Sequence, residues 1–229
     1  MFSCQSDAST EKQEENEESS QLTPEPEPEE RVLVWSDEFE GTSLDLNDWN
    51  FEIGDGCPNL CGWGNNELQS YTDSNHRLED GMLVISAKKE TDYTSTRILT
   101  KGKQEFTYGR IETRVKVPTG AGLWPAFWAL GADIDTVSWP DCGEIDIMEQ
   151  NGSNKGQLLG TFHCANQGSG EYASYGLTKT IENLNISNVT DNFHLYSMIW
   201  TPNLIKLLVD DTLLVQLGIG TNAPFDNPH

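Results

Sequence analysis

The stretch Glu144–Glu149, with the sequence EIDIME, predicts a β-strand that carries three carboxylates. Ile145 and Ile147 alternate with Glu144 and Asp146, and this two-residue period is typical of a strand with one apolar and one polar face. The isoleucines are therefore expected in a hydrophobic core. The carboxylates of Glu144 and Asp146 then lie together on the opposite face of the sheet.

Glu149 is out of register with these two carboxylates, because side chains swap faces at every step and Glu149 lies five residues after Glu144. One extra residue in a bulge near Ile147-Met148 would return Glu149 to the carboxylate face, and bulges are enriched beside active sites. Glu144 and Glu149 would then converge with Asp146 between them. This is the arrangement of a glycosidase, in which two carboxyl groups roughly 5–5.5 Å apart give retention of configuration.

Two other interpretations of this acidic string are a solvated strand face and a calcium site, because clustered oxygens suit a hard cation. The flanking sequence favours a sugar-binding cleft instead. Trp124, Trp128 and Trp139 precede the carboxylates within about twenty residues, and indole faces stack well on sugar rings. If residues 124–128 form a strand, Trp124 and Trp128 share a face with the small Ala126 between them. Tryptophans so placed also occur in protein cores.

Four segments together resemble glycoside hydrolase family 16, and most strongly its laminarinase-like endo-β-1,3-glucanases. These segments are Gly62–Gln69, Tyr108–Glu112, Trp124–Trp128 and Glu144–Glu149. The resemblance extends from about Val32 to the end of the chain. It implies an all-β jelly-roll sandwich of two antiparallel sheets with a concave substrate cleft.

The resemblance also implies a role for each carboxylate: Glu144 is the nucleophile, Asp146 assists it, and Glu149 is the acid/base. We expect Asp146 either to share a proton with Glu144 or to hold its orientation, and repulsion among the three carboxylates to help keep Glu149 protonated. The chemistry requires no cofactor, and a structural calcium near Trp35–Gly41 is a further expectation. The substrate-binding candidates, from the aromatic pattern or by resemblance, are Asn65, Glu67, Arg97, Trp124, Trp128, Trp139 and His163.

Strand-like alternation recurs in other parts of the chain. Leu78–Ala87 predicts a hairpin around Asp80-Gly81, which is a strong turn dipeptide. Ile111–Val117 alternates apolar with charged residues, and Ile205–Val209 leads into a second turn at Asp210-Asp211. Many short strands at this spacing indicate an all-β sandwich or jelly roll.

The chain changes character near residue 31. Residues 1–30 contain ten acidic residues, one lysine and prolines alternating with glutamates, a composition typical of a disordered, extended tether. We therefore assign 1–31 to a tether and 32–229 to one hydrolase domain. Family members continue past the stretch that matches Pro224–Asp226, so we expect the last C-terminal strands of this domain to be truncated.

The charge of the chain restricts its partners. The formal net charge is −23, and the part that follows the tether is acidic in its own right. This balance argues against nucleic acid or an anionic membrane as a partner, and it fits a neutral β-glucan polysaccharide. We expect the protein to act as a monomer.

The five cysteines suggest a compartment and one crosslink. Cys4, followed by a polar acidic tether, resembles the lipid-attachment cysteine of a bacterial lipoprotein, although the preceding signal sequence is missing. We therefore expect a secreted protein or a cell-surface or outer-membrane lipoprotein that is attached only through Cys4. Cys57 and Cys61 are close enough to form a disulfide, whereas Cys142 and Cys164 are either a pair or two buried thiols.

Three functions compete for this sequence. A retaining endo-β-1,3-glucanase acting on laminarin-type or mixed-linkage β-glucan keeps both catalytic glutamates, as here. An agarase or another galactan hydrolase of the same family is the enzymatic alternative, and the extra Met148 fits the bulged strand of either type. A noncatalytic β-glucan-binding protein is the third, but such proteins typically lose a catalytic glutamate.

Overall fold

The structure, a computed structural model, describes residues 31–166 and 170–219, and in this part the fold is built almost entirely from β-strands. Its helical segments are two short 3₁₀ turns, Cys61–Gly64 and Glu182–Leu184. The prediction of an all-β fold is confirmed. The predicted tether up to residue 30, with Cys4, and the predicted truncation at Pro224–Asp226 lie outside the described residues. No helix in the described part is long and apolar enough to cross a membrane.

The described residues fall into two compact units, a first unit over 31–105 and a second unit over 106–219. The assignment of 32–229 to one hydrolase domain stays a prediction. The first unit contains seven short strands. They are β1 Asn50–Glu52, β2 Gln69–Tyr71, β3 His76–Glu79, β4 Met82–Ile85, β5 Lys88–Lys89, β6 Tyr93–Ser95 and β7 Arg97–Leu99.

The strands of the first unit pair in three small sheets. β1 pairs with β7, β6 pairs with both β2 and β5, and β3 pairs with β4 as an antiparallel hairpin. The hairpin turns at Asp80 and Gly81, whose φ angles of 54° and 69° suit a two-residue turn that follows the twist of the strands. The predicted hairpin within Leu78–Ala87 is confirmed.

The cysteine predictions are partly settled by the structure. Cys57 and Cys61 form the predicted disulfide, which closes a short loop in the first unit. Cys142 is a buried free thiol, whereas Cys164 is disulfide-bonded. Both predicted alternatives, a pair between these two cysteines and two buried thiols, are therefore wrong.

The second unit is a sandwich of two four-stranded antiparallel sheets. Its strands are β8 Gly109–Val115, β9 Ala126–Leu130, β10 Glu144–Glu149, β11 Gln157–Ala165, β12 Tyr172–Thr180, β13 His194–Thr201, β14 Leu204–Val209 and β15 Thr212–Gly218. One sheet has the strand order β12-β11-β10-β9, and the other has the order β15-β14-β13-β8. Strands β10, β11 and β12 contact strands β13, β14 and β15 across the interior.

The hydrophobic core of the second unit lies between these sheets. Alternate residues of β14 (Ile205, Leu207 and Val209) are fully buried, and β14 ends in the predicted turn at Asp210-Asp211. They pack in one cluster with apolar side chains of β10 and β11. Burial of each such side chain contributes about 1.5–3 kcal/mol relative to an exposed one. The core therefore holds β10 with one face inward and its carboxylate face outward.

Candidate active site

A bulge in β10 brings Glu149 to the face of the sheet that carries Glu144 and Asp146. Asp146 is opposite Thr161 on the neighbouring β11, and Glu149 is opposite Leu159. Between these two pairs, β10 therefore has one residue more than β11. Against β9, the register shifts between Asp146 and Met148. The predicted bulge is confirmed.

The bulge is also visible in the burial of two successive side chains. Ile147 and Met148 are each only 1% exposed, although neighbours in a regular strand point to opposite faces. Because both side chains point into the core, the next residue, Glu149, returns to the outer face.

The register of the sheet identifies the neighbours of the carboxylates, since residues directly opposite each other in an antiparallel pair share a face. His163 on β11 is opposite Glu144, and Trp128 on β9 is opposite Asp146. The predicted residues His163 and Trp128 therefore lie on the carboxylate face. Ala126, the first residue of β9, is opposite Glu149.

A chain of hydrogen bonds connects Asp146 to an aromatic residue outside the predicted set. The Nε2 atom of His163 is 2.9 Å from Oδ2 of Asp146, and the Nδ1 atom of His163 is 2.8 Å from the hydroxyl of Tyr172. Because an ionised carboxylate only accepts hydrogen bonds, Nε2 of His163 carries the proton. In the neutral imidazole, Tyr172 then donates to Nδ1.

Trp139 lies against this chain and contacts the nucleophile candidate. Its ring stacks on Tyr172 with a centroid distance of 5.1 Å and an interplanar angle of 29°. Its side chain also hydrogen-bonds Glu144. Trp139 is thus held by Tyr172 on one side and holds Glu144 on the other.

Trp124 makes the equivalent contact with the other glutamate. It precedes β9 instead of forming part of it, so the predicted strand over 124–128 begins two residues later, at Ala126. Its indole Nε1 donates a hydrogen bond of 2.8 Å to Oε1 of Glu149. Each glutamate therefore accepts a hydrogen bond from a tryptophan.

The environment of Glu144 raises its pKa to about 7. Burial is the largest cause, followed by the charge of Asp146, and a hydrogen bond with Asp146 adds to the effect. This bond fits the prediction that the two carboxyls share a proton. His163 and Trp139 act in the opposite direction and favour the ionised form of Glu144.

The pKa of Glu149 is also raised, first by burial and second by the charge of Asp146, while Trp124 and His163 lower it. Charge repulsion thus contributes as predicted but is smaller than the effect of burial. The pKa of His163 is raised as well: burial lowers it, but the hydrogen bond and charge of Asp146 and the charges of both glutamates outweigh that effect.

The predicted substrate-binding residues Glu67 and Arg97 belong to the first unit, where they form a polar cluster of their own. The guanidinium of Arg97 lies over the rings of Trp63 and Tyr71, with its carbon 4.3 and 4.6 Å from their centroids. Arg97 also forms ion pairs with Glu52 and, at 3.8 Å, with Glu67. The charge of Arg97 is therefore balanced by carboxylates of the protein itself.

Glu67 organises this cluster through its carboxylate. Its Oε2 atom accepts hydrogen bonds of 2.6 Å from the hydroxyl of Tyr71 and from Nε2 of Gln69. The predicted Asn65 is exposed and contacts Oε1 of Glu67 at 3.3 Å. Burial and the bond to Glu67 raise the pKa of Tyr71 to about 12, so this hydroxyl stays protonated. Substrate binding by Asn65, Glu67 and Arg97 stays a prediction.

Potential metal-ligating side chains lie close together at one place in the described part of the chain. Glu144, Asp146 and His163 each offer one ligand atom within 4.8 Å of the others, but Asp146 already bonds both His163 and Glu144. The expected calcium stretch, Trp35–Gly41, does not gather three ligating side chains within the described residues. Asp37 there accepts hydrogen bonds of 2.8 Å from the backbone of Phe39 and from the indole of Trp49 instead.

Comparison with known proteins gives a consistent result. A family model described as glycosyl hydrolases family 16 matches residues 64–225. Glucan endo-1,3-beta-glucosidase A1 of Niallia circulans is 37% identical over 86% of this chain and 32% of its own length. The beta-glucanase of Rhodothermus marinus is 41% identical over 79% of this chain and 63% of its own length. The chain thus spans between about one third and two thirds of these curated relatives.

A solved structure supports the fold assignment. The laminarinase from Flavobacterium sp. UMI-01 is 46% identical to this chain, with a TM-score of 0.75 over 84% of this chain and 81% of that one. The predicted fold class, an all-β jelly-roll sandwich, is confirmed by this similarity together with the two facing sheets of the second unit.

Proposed function

The chain belongs to glycosyl hydrolases family 16, and from that premise we propose that it is a retaining endo-hydrolase of β-1,3-glucosidic linkages in laminarin-type β-glucans. One observation carries the proposal: the bulge in β10 aligns Glu144, Asp146 and Glu149 on one face. Both carboxyl groups that a glycosidase requires are present there, and each accepts a hydrogen bond from a tryptophan. Mixed-linkage β-glucan is the second substrate to test.

The proposed reaction has two steps. In the first, Glu144 attacks the anomeric carbon while Glu149 donates its proton to the glycosidic oxygen, which leaves with the bonding electrons. In the second, Glu149 takes a proton from water, and the water oxygen displaces Glu144 from the sugar. The raised pKa of Glu149 suits the acid role.

The nucleophile must be ionised before it attacks, although its pKa is raised. The proton that Glu144 shares with Asp146 therefore has to reside on Asp146 or leave the pair. Trp139 and His163 lower the pKa of Glu144 and so favour this state. Asp146 in turn is held by Nε2 of His163, which limits its rotation away from Glu144.

The test is release of reducing sugar from laminarin, with Glu144→Gln as the blank. We expect release by the wild type, loss of it in the variant, and a first-formed product that keeps the β-configuration by NMR. Release from agarose alone would favour the galactan hydrolase. If the wild type and the Glu144→Gln variant both bind laminarin but neither releases reducing sugar, the result would favour a noncatalytic glucan-binding protein and contradict the proposal.

We also propose a location and an assembly for the protein. A lipid on Cys4 would attach it to a bacterial cell surface, and mass spectrometry of the protein from its native membranes tests this. A monomer is proposed, and its test is the mass by light scattering. We also propose a structural calcium near Trp35–Gly41. If calcium binds there, the melting temperature should be higher in calcium than in EDTA.

A further inference from the structure

Trp124 contacts the acid/base candidate by its polar edge. Its indole nitrogen donates to Oε1 of Glu149 at 2.8 Å, while 55% of the residue remains exposed. A tryptophan that serves only as a platform for sugar needs no such bond. This contact is therefore a second property of Trp124, separate from the predicted stacking of its ring on substrate.

The hydrogen bond distinguishes the two oxygens of Glu149. A protonated carboxyl group has one hydroxyl oxygen and one carbonyl oxygen, and an N–H donor prefers the carbonyl oxygen as its acceptor. Because Oε1 accepts from Trp124, the proton of the neutral acid belongs on Oε2. The same bond stabilises the ionised form, since it persists when the proton has left.

The backbone keeps Trp124 in place for this contact. The carbonyl of Leu123 accepts a hydrogen bond of 2.8 Å from Gly152, and the carbonyl of Pro125 accepts one of 3.2 Å from Gln150. A Cβ atom on Gly152 would lie 2.9 Å from the carbonyl oxygen of Leu123. The segment on both sides of Trp124 is thus bound closely to the chain that follows Glu149.

We propose that Trp124 is a positioning residue that keeps the transferable proton of Glu149 on Oε2 in both steps of the reaction. This inference rests on the proposed function and adds to it the route of the proton. In the first step the proton moves from Oε2 to the glycosidic oxygen as the bond from that oxygen to the anomeric carbon breaks. In the second step Oε2 receives a proton from water as the water oxygen bonds to the anomeric carbon.

This role makes the importance of Trp124 depend on the leaving group. A sugar hydroxyl is a poor leaving group and needs the proton, whereas a dinitrophenolate leaves without it. Loss of the indole N–H should therefore slow the first step for laminarin but not for a dinitrophenyl β-glycoside of laminaribiose. The ratio kcat/KM reports this first step for both substrates.

The experiment compares Trp124→Phe with the wild type on these two substrates. For laminarin we expect kcat/KM to fall about tenfold, a part of the 10²–10⁴-fold that general acid catalysis contributes. For the dinitrophenyl glycoside we expect a change of less than about twofold. The basic limb of the laminarin pH profile should also move to higher pH, because the variant loses a donor that stabilises ionised Glu149.

Trp139→Phe is the matched control, because it removes an indole bond from the nucleophile candidate Glu144. Every substrate needs the nucleophile, so this variant should slow both substrates alike. If Trp124→Phe lowers kcat/KM equally on both substrates and the basic limb of the pH profile does not move, the inference is overturned while the proposed function stands. If the wild type hydrolyses neither substrate, the proposed function fails and the inference fails with it.

Discussion

At the scale of single residues, the surroundings of Glu144 strongly affect its ionisation. Its pKa of about 7 lies well above the ordinary 4.5, first because it is buried and second because Asp146 is charged. A nucleophile with this pKa is partly protonated at neutral pH. The dependence of activity on pH should therefore report the ionisation of the Glu144 and Asp146 carboxyls directly.

The first prediction concerns the acid limb of activity. We expect kcat/KM on laminarin to fall below a pH of about 7, because protonated Glu144 cannot attack. Asp146→Asn should move this limb to lower pH, since the variant removes a charge that raises the pKa of Glu144. Initial rates between about pH 4 and 9 check both effects. An acid limb that stays in place in Asp146→Asn would contradict the assignment.

The second prediction concerns stability. The pKa of Glu144 is raised from 4.5 to about 7 in the fold. As the pH rises between these two values, ionisation of Glu144 favours the unfolded chain and lowers the free energy of unfolding. This loss of stability is complete above a pH of about 7. Glu144→Gln removes it. Discounted for partial exposure, a penalty of about 1 kcal/mol predicts a melting temperature about 3 °C higher for the variant at pH 8.

The control for this prediction is the same comparison near pH 4. There the carboxyl is mostly protonated in both the folded and the unfolded chain, so the two proteins should melt together. An equal rise in melting temperature at both pH values would show that Glu144→Gln stabilises the protein for another reason, such as packing.

At the scale of elements, the bulge in β10 is the feature that the sequence predicts best. The alternation of isoleucines with carboxylates defines the strand, and the odd spacing of Glu149 requires one extra residue. The pairing of β11 with β12 could not be predicted in the same way, because no alternation pattern fixes which residues face each other. Tyr172 lies at the start of β12, and this is why its contact with His163 was missed.

The third prediction follows from this bulge. Deleting Met148 leaves the glutamate proposed as acid/base four residues after Glu144, which is the same face of a regular strand. It also keeps the partner of that glutamate, Leu159 on β11. We expect hydrolysis of laminarin to persist, while the loss of a buried methionine side chain costs about 2–5 kcal/mol of stability.

Thermal unfolding and the laminarin assay together check this deletion. Met148→Ala is the matched control, because it removes the same side chain but keeps the bulge. A folded deletion variant without activity, beside an active Met148→Ala, would show that the bulge itself sets the geometry of the acid.

At the scale of the whole molecule, the charge of −23 predicts how the protein meets its substrate. A neutral glucan feels no net attraction to this charge, so kcat/KM on laminarin should change by less than about twofold between roughly 10 and 500 mM salt. A sulfated polysaccharide should instead bind better as salt rises, because screening weakens repulsion. A steep fall in laminarin hydrolysis with salt would contradict the assignment of a neutral substrate.

The limits of sequence reasoning at this scale are those of charge and composition. They excluded classes of partner and pointed to a neutral polysaccharide. They could not place Arg97, because its position over the rings of Trp63 and Tyr71 depends on pairings between short strands that carry no strong alternation of their own. The resemblance suggested the residue, and the fold supplied its neighbours.

The inward turn of Ile147 and Met148 connects Glu149, the acid/base candidate, to the interior of the second unit. Both side chains pack in the interior cluster, and their backbone leads directly to Glu149. A substitution that repacks the interior there changes the support of this glutamate as well as the stability of the unit. An engineer who wants a hardier enzyme should leave both unchanged and begin with exposed side chains far from this strand.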